Sequence, residues 1–173
     1  MPGKRRKVRG QIRLYCFIIF LIYSLDQLSK FCVGKVLLSR LDVPVIKNFF
    51  HIRLVHNTGA AFGLFGKHPY LFVIIAVLAL ILISYFLIRR SHILNVGERI
   101  ALCFMMGGTL GNLTDRIRFG YVIDFIDFRI WPVFNLADSF ISIGAVTLGC
   151  SLLAGIRAQK QSPDSDAGSE LHI

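Results

Sequence analysis

The chain has 173 residues, 54% of them hydrophobic and 17% charged, with a mean hydropathy of +0.62. A soluble domain of this length would carry about 25% charged residues, so a soluble globular protein is excluded and a membrane protein is indicated. The net charge of +10 comes without any array of aromatic and basic residues, so it fits anionic lipid and membrane orientation, and not nucleic acid.

Residues 1–13 form a basic cytoplasmic lead containing Lys4, Arg5, Arg6, Lys7, Arg9 and Arg13 and no acid. The uncharged run Leu14–Leu25, LYCFIIFLIYSL, falls short of the roughly 20 apolar residues a crossing helix needs. Basic residues before a short apolar run also describe a secretory signal peptide. No small-x-small cleavage site follows, so the expectation is an uncleaved first span that continues to about Gly34 with Asp26 and Lys30 inside it. Residues 43–66 contain VPVIKNFFHIRLV, bounded by Pro44 and the turn signal Asn57-Thr58-Gly59. Its second half alternates polar and apolar, which predicts short strands.

Pro69–Ile88 is a second span without a charge. Ile100–Thr114 is a shorter, glycine-rich third span, whose Gly107 and Gly111 lie four apart and allow a neighbouring helix to approach closely. YVIDFIDFRI then reads as extended, and Ser139–Ile156 is a fourth span before a polar tail, residues 157–173, of disordered composition. Arg89, Arg90 and Arg99 flank the connection between spans two and three, and Arg157 and Lys160 follow span four. The excess of Lys and Arg places both termini and the middle loop in the cytoplasm. No internal repeat or linker divides the chain, so one domain is expected, with a small sheet on the outer membrane surface beside four transmembrane helices. Cys16, Cys32, Cys103 and Cys150 stand singly and read as buried, inert thiols. The five histidines are scattered, and no metal-ligand spacing appears.

Ten residues are acidic, and five of them, Asp26, Asp115, Asp124, Asp127 and Asp138, fall at or near the outer ends of spans. Ionisable groups at membrane depth are costly and are functional candidates by default. Asp26 and Lys30, four apart, can pair on one helix face in either a structural or a chemical role. Asp115 and Arg116 close the third span, and Arg116 shares a helical face with Asn112. That arginine either reaches to the headgroups or holds a substrate carbonyl. In a strand Asp124 and Asp127 point to opposite faces, so at most one meets the helices. Asp124 can meet Asp138 at the mouth of span four, where NLADS also reads as a helix cap. Two adjoining carboxylates share a proton and can activate water while protonating a leaving group; an ion-pair scaffold is the alternative. A proton-coupled carrier would spread such charges through the membrane depth, whereas Pro69–Ile88 has none.

Five motifs in order carry a resemblance: DQLSK at 26–30, VHNTGAAFG at 55–63, GGTLGNLTDR at 107–116, VIDFIDF at 122–128 and FNLADS at 134–139. Over about residues 14–156 the chain resembles the lipoprotein signal peptidase (signal peptidase II) family, the bacterial membrane aspartic peptidases. The resemblance implies cleavage of diacylglyceryl-modified prolipoproteins before the lipid-bearing cysteine, with no metal or cofactor. It implies an all-α membrane fold of four transmembrane helices with a small periplasmic β-cradle and a periplasmic loop or half-helix. The catalytic aspartates of the family fall on Asp124 and Asp138; its other polar motif residues match Asp26, Asn57, Asn112, Asp115, Arg116 and Asn135, implying substrate positioning or support. Partners so implied are prolipoproteins and membrane lipid at the inner membrane; a monomer is expected. Thr147–Cys150 looks like the sequence such enzymes cleave, but its place late in span four reads as packing.

Overall fold

The computed structural model describes residues 2–37, 42–59 and 69–160. The end of VHNTGAAFG, the implied outer loop or half-helix and the tail beyond 160 fall outside them.

Within the described residues, four helices and three short strands follow one another as α1 (Pro2–Val36), β1 (Asp42–Ile46), β2 (Phe50–Asn57), α2 (Pro69–Arg89), α3 (Val96–Phe119), β3 (Val122–Asp127) and α4 (Leu136–Lys160). The basic lead is not a separate segment, because α1 runs through it. Among the described residues, three stretches are long and apolar enough to cross a membrane: Gly10–Val36, Tyr70–Arg89 and Leu136–Arg157. The expected third span does not meet that standard. Helix α3 has 24 residues but carries Glu98, Arg99, Asp115, Arg116 and Arg118. Its position accounts for its composition. It packs against α1, α2 and α4, so much of its surface meets protein and is released from the demand for apolar side chains.

Close approach explains the GGTLG run. A Cβ on Gly108 would lie 2.5 Å from the Ala137 carbonyl oxygen, and one on Gly107 would lie 2.8 Å from Ile22 Cβ. A Cβ on Gly111 would collide with the Asp26 carboxylate. Glycine here draws α1 and α4 onto α3. Beyond the glycines, Tyr15, Ile83, Leu87, Leu102 and Cys103 form a buried apolar cluster among α1, α2 and α3. Cys103 alone of the four cysteines is buried; Cys16, Cys32 and Cys150 lie on outward helix faces, which corrects the expectation of four buried thiols.

The strands form one antiparallel sheet in the order β1-β2-β3. Its register sets Val55 opposite Asp124 and Asn57 opposite Val122. On the free side of β3, Phe134 N–H donates to the Ile126 carbonyl at 3.1 Å and the Phe134 carbonyl accepts Ile126 N–H at 2.8 Å. This bridge holds the chain entering α4 beside β3. Asp42, His51 and Arg129 clip the outer strands, with Asp42 oxygens 2.7 Å from His51 Nδ1 and 2.9 Å from Arg129 Nη2. The His51 hydrogen bond and the Arg129 charge hold the Asp42 carboxyl below the ordinary range.

Candidate active site

Helix α4 begins with a reciprocal cap. Asp138 N–H donates to Asn135 Oδ1 at 2.9 Å, and Asn135 N–H donates to Asp138 Oδ2 at 3.2 Å. This is the capping-box arrangement, with Asp in the place usually held by Glu or Gln. The Ala137 N–H of the same turn donates to Asp26 Oδ1 at 3.0 Å, so a carboxylate of α1 satisfies another orphan donor of α4. Capping is therefore real at Asp138, and it leaves Oδ1 for a different partner.

That partner is Asn112 of α3, whose Nδ2 donates to Asp138 Oδ1 at 2.8 Å. Asn135 reaches the other way, donating from Nδ2 to Asp124 Oδ1 at 2.7 Å. Asn57, at the end of β2, donates to Asp124 Oδ2 at 2.8 Å while its own Oδ1 accepts Gly59 N–H at 3.0 Å. Both carboxylates thus receive amide donors on a shared scaffold. Asp124 is 1% exposed. Burial, and then the neighbouring charge of Asp138, pushes its carboxyl up to about 7, against the donors Asn57 and Asn135.

The two aspartates face a cleft of about 270 Å³ lined also by Asn57, Asn112 and Arg116. One wall is the segment Trp131–Phe134, and Ser142 lies deeper along α4. Arg116 points its guanidinium across this space, with Nη2 3.5 Å from the Gly59 carbonyl and Cζ 5.2 Å from the centre of the Phe72 ring. A guanidinium, two carboxylates and amide donors at one opening are a set of groups able to hydrogen-bond an extended peptide and to activate water.

Of the eight residues expected from sequence, Asn57, Asn112, Arg116, Asp124 and Asp138 line the cleft. Asn135 lies behind them, joining Asp124 to Asn112. Asp26 and Asp115 stand further back as the two carboxylate partners of Lys30, each 2.8 Å from its Nζ. Asp115 does not close α3, which continues to Phe119. Its Oδ2 instead accepts the Ile123 N–H at 3.2 Å, holding β3 one residue before Asp124. Asp127 is buried as well as Asp124, but it bonds the Arg129 N–H at 2.8 Å and does not line the cleft.

Three contributors went unselected by the sequence reading: Gln27, Lys30 in its links beyond Asp26, and the Trp131–Phe134 wall. Gln27 Nε2 donates to Asp115 Oδ1 at 3.0 Å. The one available signal was DQLSK itself, since a lysine inside an apolar span needs buried acceptors. Among the described residues, no three His, Cys, Asp or Glu side chains gather as a metal site.

The family model for signal peptidase (SPase) II matches residues 18–154. The lipoprotein signal peptidase of Moorella thermoacetica is 43% identical over 151 residues, 86% of this chain and 99% of that protein. The lipoprotein signal peptidase of Clostridioides difficile is 45% identical over 138 residues, 78% of this chain and 91% of that protein. A solved bacterial membrane enzyme, determined by the in meso method at 2.3 Å, has a TM-score of 0.76 at 29% identity, covering 94% of this chain and 95% of its own. A second, determined by the same method at 1.9 Å, has a TM-score of 0.72 at 34% identity, covering 82% and 94%. With the match running from the first helix to the last, the chain belongs to the signal peptidase II family, and so to the lipoprotein signal peptidases.

Proposed function

We propose that the chain is an aspartic endopeptidase of the bacterial cytoplasmic membrane. It removes the signal peptide from diacylglyceryl-modified prolipoproteins by cutting before the lipidated cysteine. One observation carries the reading: Asp124 and Asp138 come from separate elements to one cleft, each with an amide donor at 2.8 Å or closer.

In this reading all four helices cross the membrane. Helix α3 is tolerated because its partners enclose it, both termini lie in the cytoplasm, and the sheet and cleft stand at the outer face. The chain works as a single membrane domain and a monomer. The substrate arrives laterally, with its acyl chains among the helices and its cleavage region extended across the cleft. Asn57, Asn112 and Arg116 hold that region, while Asp26, Asp115 and Asn135 support the pair.

The ionised aspartate removes a proton from water as the water oxygen attacks the scissile carbonyl carbon. The protonated aspartate hydrogen-bonds the carbonyl oxygen and transfers its proton as the tetrahedral species forms. Collapse breaks the carbon–nitrogen bond: the nitrogen takes a proton from the first aspartate while one hydroxyl of the tetrahedral species returns its proton to the second, restoring the pair. The signal peptide leaves with a new carboxyl group, and the lipidated cysteine gains a free amine. The pair supplies both the acid and the base.

The test is cleavage by the purified chain in lipid, with products identified by mass spectrometry. Lipid-modified prolipoprotein is expected to yield a product beginning at the modified cysteine, and the unmodified precursor to stay intact. Equal cleavage of both precursors, or cleavage at another bond, would refute the reading.

A further inference from the structure

Lys30 is 3% exposed and its ammonium has three acceptors: Asp26 Oδ2 and Asp115 Oδ2 at 2.8 Å each, and Asn112 Oδ1 at 3.0 Å. An ammonium has three donors and no acceptor, so only the oxygen end of the Asn112 amide can face it. The amide's ends are opposite in hydrogen-bonding sense, and fixing Oδ1 toward Lys30 fixes Nδ2 toward Asp138. Asn135 Nδ2 also donates to Asn112 Oδ1, at 3.1 Å. Its sense is set in turn by the Asp138 N–H on Asn135 Oδ1. A flipped Asn112 would turn its NH₂ toward an ammonium and its carbonyl toward a carboxylate, replacing attraction by repulsion at both ends.

We propose that Lys30 is a positioning residue for the aspartate pair, locking the Asn112 amide so that Asp138 always meets a donor. The inference rests on the aspartate-pair reading above. It separates Lys30 from a mere helix fastener. Pairing with Asp26 and Asp115 would tie α1 to α3 without any contact to Asn112, yet the third donor is spent there. The groups facing the pair are Lys30 and Asp26 from α1, and Arg116 and Asp115 from α3. Strand β3 and helix α4 supply the pair itself. Arg116 is retained in every variant below.

The test follows kcat and KM against pH for lipid-modified prolipoprotein, using the full chain in lipid. Lys30→Met is expected to lower kcat about ten-fold or more with KM within about two-fold. The acid limb is expected to move up by about one pH unit, because the pair's carboxylate form has lost the fixed Asn112 donor that favours it. Lys30→Met also leaves two carboxylates unmatched. Lys30→Met/Asp26→Asn therefore accompanies it: one cation and two carboxylates become one carboxylate, the same formal net charge. The same loss and the same displaced limb are expected there. Asn112→Ala is expected to lose activity comparably, and Lys30→Met/Asn112→Ala to fall no more than about two-fold further, since both remove one linkage. An unmoved pH profile in a folded Lys30 variant, or losses that multiply in the double variant, would overturn the proposal. So would loss of the thermal transition in both Lys30 variants, which would assign Lys30 to fold maintenance. Asp138→Asn distinguishes the two levels. Retained cleavage there would overturn the aspartate pair itself, whereas its loss beside unaffected Lys30 variants would remove only the positioning role.

Discussion

Asp138 shows how one carboxylate serves a helix and a site together, since Oδ2 caps Asn135 N–H while Oδ1 receives the Asn112 amide. From the sequence, NLADS supported both readings, and the residues around it could not separate them. The partners that decide the matter come from afar: Lys30 reaches Asn112 across 82 positions and Ala137 N–H reaches Asp26 across 111. Contacts at such separations leave no periodicity to read. Local spacing made Asp26 with Lys30 visible, and Asp115 as their third member was not. Asp124 makes stability depend on pH. Its carboxyl is raised to about 7 in the fold, so an unfolded chain ionises it first; stability falls as pH rises from about 4 toward 7, and the full cost is in place above 7. Asp124→Asn removes that charge. The change in melting temperature on substitution is expected to be more favourable at pH 8 than at pH 5, read by thermal unfolding in detergent. In Asp138→Asn the Asp124 carboxyl is expected to titrate lower than in the parent, as seen by infrared or carbon-13 NMR, because a neighbouring negative charge is gone.

At the scale of elements, α1, α2 and α4 were legible because lipid-facing helices must be apolar over most of their surface. The expected third span sat where α3 lies but was too short, since charged ends made its last turn look like loop. Packing against three partners is a property of the assembled bundle, and hydropathy along the chain does not record it. The glycines did mark the packing face. Gly111→Ala is expected to destabilise by about 1–3 kcal/mol and to abolish most cleavage, because its methyl meets the Asp26 carboxylate. Gly149→Ala, with no atom within 4 Å of the added Cβ, is expected to leave melting temperature and rate essentially as they were. Strands β2 and β3 were readable from alternation and turn residues, but the Ile126–Phe134 bridge that delivers α4 to β3 was not. It belongs to no regular pattern.

For the whole molecule, the fold gathers polar groups from α1, β2, α3, β3 and α4 at one end of a largely apolar bundle. Such an arrangement suits chemistry on a substrate that remains in the membrane. The proposed orientation has a direct consequence for labelling. In a chain freed of its native cysteines, Lys47→Cys at the exposed β1–β2 turn is expected to react with an impermeant maleimide from outside. His92→Cys in the α2–α3 connection is expected to react only after the membrane is opened. The idea on which all else depends is that Asp124 and Asp138 act as one unit. Cleavage rates on lipid-modified prolipoprotein for Asp124→Asn, Asp138→Asn and the double variant decide it. Each single change is expected to reduce kcat by about 10³-fold or more, with the double variant no slower than the worse single, as groups acting together behave. Substantial cleavage by either folded single variant, or losses that multiply in the double, would mean that the two carboxylates do not form a catalytic pair.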